Sequence, residues 1–294
     1  MIDIIGRRKL WFSISGVFVA LSILAIAIWR LNIGIDFTGG TLIELAFIGE
    51  RPAAAVLQAE FEALGASRVK VQTAGTSDAI IRSAPMDAEL HSVIVEAFSD
   101  RANEQRYELI GPTIGRELAR KTITAVVVAI FAIVGYIAYA FRKVSRELAS
   151  WKYGIVSVVA LLHDAIIPIG VFAVLGRFLN VEIDAAFIAA ALTIIGYSVN
   201  DTIVIFDRVR ENITTTHNLS FAEAVNTSVN QTFSRSINTT LTTILALMAV
   251  FIVGGPTLKF FALALMIGIG VGAYSSIFIA APLLVKLHER RSRV

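Results

Sequence analysis

Apolar residues are gathered into six long runs, and most of the polar residues lie between them. Crossing the hydrocarbon core of a bilayer takes about 20 helical residues, and runs of about this length cover residues 11–29, 122–141, 153–175, 185–206, 237–253 and 260–287. The pattern therefore predicts an α-helical membrane protein with six transmembrane helices. The first run follows Arg7, Arg8 and Lys9 and is longer than a usual signal-peptide core, so we expect a retained helix.

The segment between the first two runs has a different pattern. Alternating apolar and polar positions predict strands, and helical spacing predicts two helices; the strands are expected at 41–47, 68–73, 79–83 and 106–110, and the helices at 52–64 and 87–98. The order strand–helix–strand–strand–helix–strand is that of the ferredoxin-like fold. The sequence therefore predicts an α+β ferredoxin-like (βαββαβ) domain.

This reading divides the chain into three parts. They are a tail with the first helix, the ferredoxin-like domain, and a five-helix bundle with a short C-terminal tail, at residues 1–31, 32–120 and 121–294. Within the bundle, apolar residues recur at helical spacing between the fourth and fifth runs, at Phe221, Val225, Val229 and Phe233. We expect the segment 208–234 to include an amphipathic helix lying along the cytoplasmic membrane face.

Basic residues mark one side of the predicted membrane. They flank the first run and cluster after the second run and at the C-terminus, at Arg142, Lys143, Arg146, Lys152, Arg290, Arg291 and Arg293. Because positive loops stay inside, we expect both termini in the cytoplasm and the ferredoxin-like domain on the opposite side of the membrane.

Composition excludes several other chemistries. The net charge is +3, from 26 basic and 23 acidic residues, and the basic residues are accounted for by membrane orientation, so no nucleic-acid partner is expected. The chain has no cysteine, which excludes disulfides and thiolate metal sites. The sequence shows no metal-binding cluster or catalytic triad, and we expect neither a cofactor nor an enzyme.

Asp201 is the leading candidate for a functional residue because a carboxylate within an apolar span is costly and usually has a role. Tyr197 lies one turn earlier on the same helix face, and Ser198 and Thr202 flank that face. A buried carboxylate can load and release a proton. The alternative interpretation is a structural hydrogen bond between helices.

Two other positions carry charge in or beside the spans. His163 and Asp164 lie near the middle of the third run, but neighbours on a helix point about 100° apart, so we expect them not to act on one atom. Arg235 stands at the start of the fifth run. It is either a cytoplasmic anchor or the ion-pair partner of Asp201, and the residues alone leave both interpretations open.

Three motifs in a fixed order carry a family resemblance. They are GIDFTGG at 34–40, GPTIG at 111–115 and GYSVNDT at 196–202, the last continuing through FDRVREN at 206–212. Together, over nearly the whole chain, they resemble the SecF family of the bacterial SecDF protein-export complex, within the resistance–nodulation–division superfamily.

The resemblance implies a function. A SecF-like subunit pairs with SecD and uses the proton-motive force to help the SecYEG channel move a translocating polypeptide outward, with membrane lipid around it. It implies that Asp201 is the proton-path carboxylate and Arg235 the functional arginine. Asp36 would contribute to a proton path or a hinge, and Asn200 lies in the matched motif.

Other functions were weighed against this one. A scaffold subunit would stabilise the translocon without carrying protons, and Asp201 argues against that role. A small-molecule exporter of the same superfamily would typically have twelve spans in one chain. An intramembrane protease is disfavoured because the Gly-x-Gly-Asp and His-Glu-x-x-His patterns are absent.

Overall fold

The computed structural model describes residues 1–141, 150–215 and 219–291. In chain order the elements are α1 Arg8–Trp29, α2 Ile35–Thr38, β1 Gly40–Phe47, α3 Ala54–Ala63, β2 Lys70–Ala74, β3 Asp78–Ser83, α4 Ala88–Phe98, β4 Ala102–Ile110, α5 Pro112–Ala140, α6 Ser150–Leu179, α7 Ala185–Thr215, α8 Phe221–Val253, α9 Pro256–Ser275, a π-helical turn Ser276–Ala280, and α10 Ala281–Arg291.

Six of the described helical segments are long and apolar enough to cross a membrane, which confirms the predicted number of spans. They are α1, α5, α6, α7, α8 and the continuous stretch from α9 through the π-helical turn into α10. Of the basic residues used to predict orientation, Arg142, Lys143, Arg146 and Arg293 lie outside the described residues.

The structure separates into two compact units. One contains Trp29–Thr124 together with Phe172–Ile188, which is the turn between α6 and α7 with the adjoining helix ends. The other is formed by the remaining described residues and contains the helical bundle.

The strands form one four-stranded antiparallel sheet in the order β2-β3-β1-β4. This order, with α3 and α4 as the connecting helices, is that of the predicted ferredoxin-like fold. The helices and strands share an apolar core that includes Ile43, Leu45, Leu57, Phe61, Ile81, Ile94 and Phe98. Asp87 caps α4 by accepting a hydrogen bond from the Leu90 amide at 2.9 Å.

Strand β4 begins at Ala102 rather than at residue 106. Its first residues are mostly polar and exposed, so they lack the alternating pattern that identifies a half-buried strand. They are strand residues because β1 pairs with them beyond a bulge between Glu44 and Leu45, with Phe47 opposite Ala102. Pairing within the sheet, rather than local pattern, sets this boundary.

The described helical residues of the segment 208–234, where an amphipathic helix was predicted, belong to the ends of two long helices. Helix α7 continues to Thr215, residues 216–218 lie outside the described residues, and α8 runs without interruption from Phe221 to Val253. Ser220 and Glu223 form a capping box at its start. Val225 and Val229 are buried in the core of the bundle, so their helical period reflects packing between helices rather than contact with a membrane surface.

A glycine pair joins α2 to β1 through a close backbone approach. Gly39 has a φ of 75°, and a Cβ atom there would lie 2.8 Å from the Pro112 Cα atom. A Cβ atom on Gly115 would lie 2.9 Å from the Gly39 amide nitrogen. The motifs at residues 34–40 and 111–115 therefore meet in space. Their junction has no room for a side chain at Gly39 or Gly115.

We predict that Gly39→Ala destabilises the protein by about 1–3 kcal/mol, because alanine adds both left-handed strain and a clash with the Pro112 backbone. Gly111→Ala is the matched control, since a Cβ atom there meets nothing within 4 Å. The apparent melting temperature of the detergent-solubilised protein should fall for the first variant and stay near the parent value for the second. Equal melting temperatures would contradict the close approach.

Candidate functional site

Asp164 is the centre of a buried hydrogen-bond network in the helical bundle. It lies on α6 with 0% exposure, and its Oδ2 accepts hydrogen bonds from Ser198 Oγ on α7 at 2.5 Å and Ser275 Oγ on α9 at 2.7 Å. His163 Nδ1 lies 2.9 Å from the other carboxyl oxygen. One carboxyl group thereby joins three transmembrane helices.

The network continues along the α7–α9 contact through hydroxyl groups. Ser276, at the start of the π-helical turn, bonds to Thr202 Oγ1 at 2.8 Å and donates to the Ser198 carbonyl oxygen at 3.4 Å. These hydroxyl groups are buried. A π-helical turn often marks a functional site because it shifts the side chains that follow it. Here it begins at the serine that bonds to Thr202, next to Asp201.

His163 and Asp164, which we expected not to act on one atom, contact each other directly. The angle of about 100° between neighbouring side chains describes only their Cβ directions. The imidazole Nδ1 lies close to its own backbone and the aspartate side chain is short, so the two groups meet at 2.9 Å. The second ring nitrogen, Nε2, is buried without a hydrogen-bond partner.

Asp201 has a different environment from Asp164. It is 5% exposed, and its Oδ2 lacks a hydrogen-bond partner. Ser236 on α8 lies beside it without a bond of normal geometry, and Ser236 Oγ is also buried and unpaired. Thr240, one turn further along α8, has an unpaired buried hydroxyl as well. Asp201 is therefore a buried carboxyl group with a free oxygen that can take up a proton.

The structure does not form the predicted ion pair between Asp201 and Arg235. Arg235 is exposed, and none of the ion pairs among the described residues includes it. It is close enough to act on Asp201 electrostatically. Its side chain lines an open cavity of about 500 Å³ between α5, α7 and α8, together with Thr232 and Val204. Val204 follows Asp201 by about one helical turn on α7, and Asp201 itself does not line this cavity.

The other two residues of the α7 motif have separate positions. The Tyr197 hydroxyl lies 3.3 Å from Thr243 Oγ1 and so links α7 to α8. Asn200 is exposed, on a side of α7 that other parts of the described chain leave uncovered. The structure therefore brings Tyr197 to the α7–α8 contact and leaves Asn200 at the surface of the bundle.

Asp36 lies in the other compact unit, where it caps a helix. Its Oδ2 accepts a hydrogen bond from the Ala185 amide at 2.6 Å, and Asp184 Oδ1 accepts one from the Phe187 amide at 2.8 Å. The two carboxyl groups thus satisfy free amides in the first turn of α7 and stabilise its dipole. This favours the structural interpretation of Asp36.

The loop before α7 carries a buried ion pair. Glu182 Oε2 lies 3.0 Å from Arg82 Nε on β3. Burial raises the pKa of Glu182 above its ordinary value, although Arg82 opposes this rise. Burial also raises the pKa of Asp184. The Glu182–Arg82 ion pair links β3 to the turn between α6 and α7, and both belong to the same compact unit.

Sequence reasoning missed Ser275, Ser276, Ser236 and Thr240 as site residues. The available signal for Ser275 and Ser276 was that they are adjacent serines inside an apolar run. Serine is common in membrane helices, however, so this signal does not show which groups the hydroxyls contact. Only the packing of α7 between α6, α8 and α9 shows which hydroxyl groups reach a carboxyl group. The described residues contain no group of three or more histidine or acidic side chains able to hold a metal ion.

We predict that Ser198→Ala destabilises the bundle by about 1–3 kcal/mol, because Asp164 loses one of its donors in a site that water cannot reach. Thr193→Ala is the matched control on the same helix, since its exposed hydroxyl bonds only to the Ala189 carbonyl oxygen. Apparent melting temperatures in detergent test the difference. A loss of equal size in both variants would contradict the assigned role of Ser198.

The chain matches models of known membrane protein families. Residues 91–290 match the model described as the C-terminal part of the protein export membrane proteins SecD and SecF, and residues 30–47 match the SecD/SecF GG motif. The first match alone covers more than half of the chain. The second contains the Gly39–Gly40 pair at the start of β1.

Curated relatives align along nearly their full length. The protein translocase subunit SecF of Thermobaculum terrenum is 39% identical over 99% of this chain and 95% of its own length. The corresponding subunit of Pseudomonas aeruginosa is 35% identical over 98% of this chain and 92% of its own length.

Two solved structures share the fold. The crystal structure of SecDF from Thermus thermophilus, a translocon-associated membrane protein, is 34% identical with a TM-score of 0.88 over 98% of this chain. SecDF in its super-membrane-facing form gives a TM-score of 0.71 over 99% of this chain, also at 34% identity. In both cases the chain spans 39% of the length of the SecDF chain.

Six candidate membrane helices and an inserted ferredoxin-like domain, together with the match to models of protein export membrane proteins, define a multi-spanning subunit of protein export. The chain belongs to the SecD/SecF family of protein export membrane proteins, and within it to the SecF protein translocase subunits.

Proposed function

We propose that this chain pairs with a SecD subunit and uses the proton-motive force to assist late steps of polypeptide translocation through the SecYEG channel. It does so as a non-enzymatic subunit of the bacterial inner membrane, with both termini in the cytoplasm and the ferredoxin-like domain in the periplasm. The basic residues that flank the membrane spans support this orientation.

The observation that carries the proposal is the free oxygen of Asp201. A buried polar group without a partner costs free energy, and a carboxyl group in an apolar span costs more. Its Oδ2 faces this cost, with the buried Ser236 hydroxyl beside the carboxyl group. A proton that enters and leaves this oxygen changes the local charge by one unit, which is the change that a proton-driven subunit requires.

The energy available from one proton suits such a step. A proton that crosses a potential of 100 mV releases about 2.3 kcal/mol, which is comparable with the insertion cost of about 2.5–3.5 kcal/mol for a charged side chain. A two-state helix bundle responds to differences of this size.

We assign the candidate residues different roles. Asp201 carries the proton, and Arg235, which lines the open cavity between α5, α7 and α8, acts on it electrostatically. Asp164 clamps α6, α7 and α9 because its oxygens are already occupied by donors, and His163 completes that clamp. Asp36 holds the start of α7.

Asp201→Asn should abolish the gradient-dependent part of export and leave the gradient-independent part, because asparagine cannot exchange a proton. The variant is co-expressed with SecD, and late translocation is measured in membrane vesicles with and without a proton gradient. Asp100→Asn is the control, since this exposed carboxylate lies in the ferredoxin-like domain. It should export normally.

Copurification with SecD shows whether each variant still assembles. If Asp201→Asn assembles and keeps its full response to the gradient, Asp201 carries no proton and the chain is a scaffold subunit instead. That result would also remove the main argument against the scaffold alternative.

Exposed polar side chains in the spans support a membrane partner such as SecD. Asn200 on α7 and Asn238 on α8 are exposed within candidate spans. An amide that faces lipid cannot satisfy its hydrogen bonds, whereas a neighbouring helix can supply partners.

Photo-crosslinking side chains at positions 200 and 238 should therefore form adducts with SecD. Position 128 on α5 is the control because Val128 is 60% exposed but apolar, as expected for a lipid contact. Adducts are identified by mass after irradiation of membranes that contain both subunits. Failure of both polar positions to react with SecD, in a complex that copurifies, would contradict this interface.

A further inference from the structure

A small cavity of about 200 Å³ lies within the unit that contains the sheet. Three cationic side chains line it, Arg68, Lys70 and Arg82, and Glu182 is the single acidic one. The cavity therefore has a net charge of about +2 from its side chains. Nothing in the roles assigned above to the helical bundle uses these residues.

The cations differ in how fully they are paired. Arg82 is largely buried and bonds to Glu182 at 3.0 Å and to Gln72 at 2.8 Å. Lys70 Nζ donates one hydrogen bond, to Asn32 Oδ1 at 2.6 Å, which leaves its other donors free. Arg68 is exposed and forms no ion pair within the part of the chain that the structure describes.

The hydroxyl groups of the cavity are already used as donors. Thr38 Oγ1 donates to the Gly34 carbonyl oxygen, and Ser83 Oγ donates to the Ala84 carbonyl oxygen. The hydrogen-bond donors left free at the cavity therefore include those of Lys70 and Arg68. Both are cationic donors, and they favour a ligand with anionic acceptor oxygens.

Arg68 is held in an unusual backbone conformation. Its φ is 55°, in the left-handed region that costs a residue with a side chain about 1–2 kcal/mol. Its neighbours fix it there, since Ser67 accepts a hydrogen bond from the Ala84 amide at 2.9 Å and Val69 is buried in the domain core. Strain that the surroundings enforce is concentrated at functional sites.

Exposed aromatic side chains at two helix ends indicate that the cavity belongs near the membrane surface. Trp29, the last residue of α1, is exposed and packs edge-on against exposed Phe178 at the end of α6, with ring centroids 5.7 Å apart. Exposed aromatic residues at helix ends lie among lipid headgroups. Asn32, which holds Lys70, follows Trp29 by only three residues. Ile33, also exposed, lines the cavity beside these polar groups.

We propose that this cavity binds the phosphate group of an anionic phospholipid, with Arg68 and Lys70 contacting the phosphate oxygens and Ile33 contacting the apolar part of the lipid. The volume is below the roughly 300–1,000 Å³ of pockets for drug-sized molecules, so it accommodates a headgroup and not a folded peptide segment. The lipid belongs to the leaflet that faces the ferredoxin-like domain. This proposal is independent of proton transport.

The test is native mass spectrometry of the full chain in complex with its partner subunit, in a detergent that preserves bound lipid. Short-chain phosphatidylglycerol, short-chain phosphatidylcholine and inorganic phosphate are titrated separately. Arg68→Gln and Lys70→Gln should each weaken phosphatidylglycerol binding about fivefold, the effect expected for one cation near a lipid surface. Arg101→Gln is the control, because Arg101 pairs with Glu60 elsewhere on the same domain.

The expected result is loss of phosphatidylglycerol in the two cavity variants and parent-like binding in Arg101→Gln. Equal retention in all three variants would overturn the proposal. Binding of inorganic phosphate with the same dependence on Arg68, and without preference for the lipid, would assign the site to free phosphate instead. An acidic peptide that displaces the lipid from the parent protein, and that added phosphatidylglycerol cannot displace in turn, would assign the site to polypeptide. That result would also overturn the proposal.

Discussion

The absence of water in the bilayer core is the constraint on which the helical bundle depends, because polar groups there must find partners on other helices. Asp164 shows the consequence most clearly, since its donors come from its own helix α6 and from α7 and α9. These bonds require close helix packing. Gly272 on α9 permits it, because a Cβ atom there would lie 3.0 Å from Ser198 Cβ.

Asp201 lies close to this network, but its Oδ2 has no hydrogen-bond partner. Thr202, the next residue, bonds to Ser276, whereas Asp201 Oδ2 and the facing Ser236 hydroxyl remain unpaired. One carboxyl group is thus fixed by donors and the other is available for exchange. A proton-driven helix bundle needs both properties, a rigid contact that keeps the helices together and a titratable group whose charge can change. Ser198, which donates to Asp164, and Asp201 lie about one turn apart on α7, and this proximity is the physical basis of the proposed function.

Much of the fold followed from the sequence. The number of spans followed from run length and the ferredoxin-like order from the alternation of apolar residues, because both are local consequences of burial. Asp201 was identifiable for the same reason, since a charge inside an apolar run is visible without a structure. The start of β4 and the continuity of α8 were not identifiable, because strand pairing and helix packing determined them.

The sequence by itself determined which residues are chemically unusual for a membrane span, and the tertiary structure decided what each of them contacts. Asp164 and Asp201 look alike along the chain, yet only one is surrounded by donors. Arg235 and Asp36 could both be read as parts of a proton path, but the first lines a cavity and the second caps a helix. The physical reason is that hydrogen bonds between helices depend on side chains that are distant in sequence, and only packing brings them together.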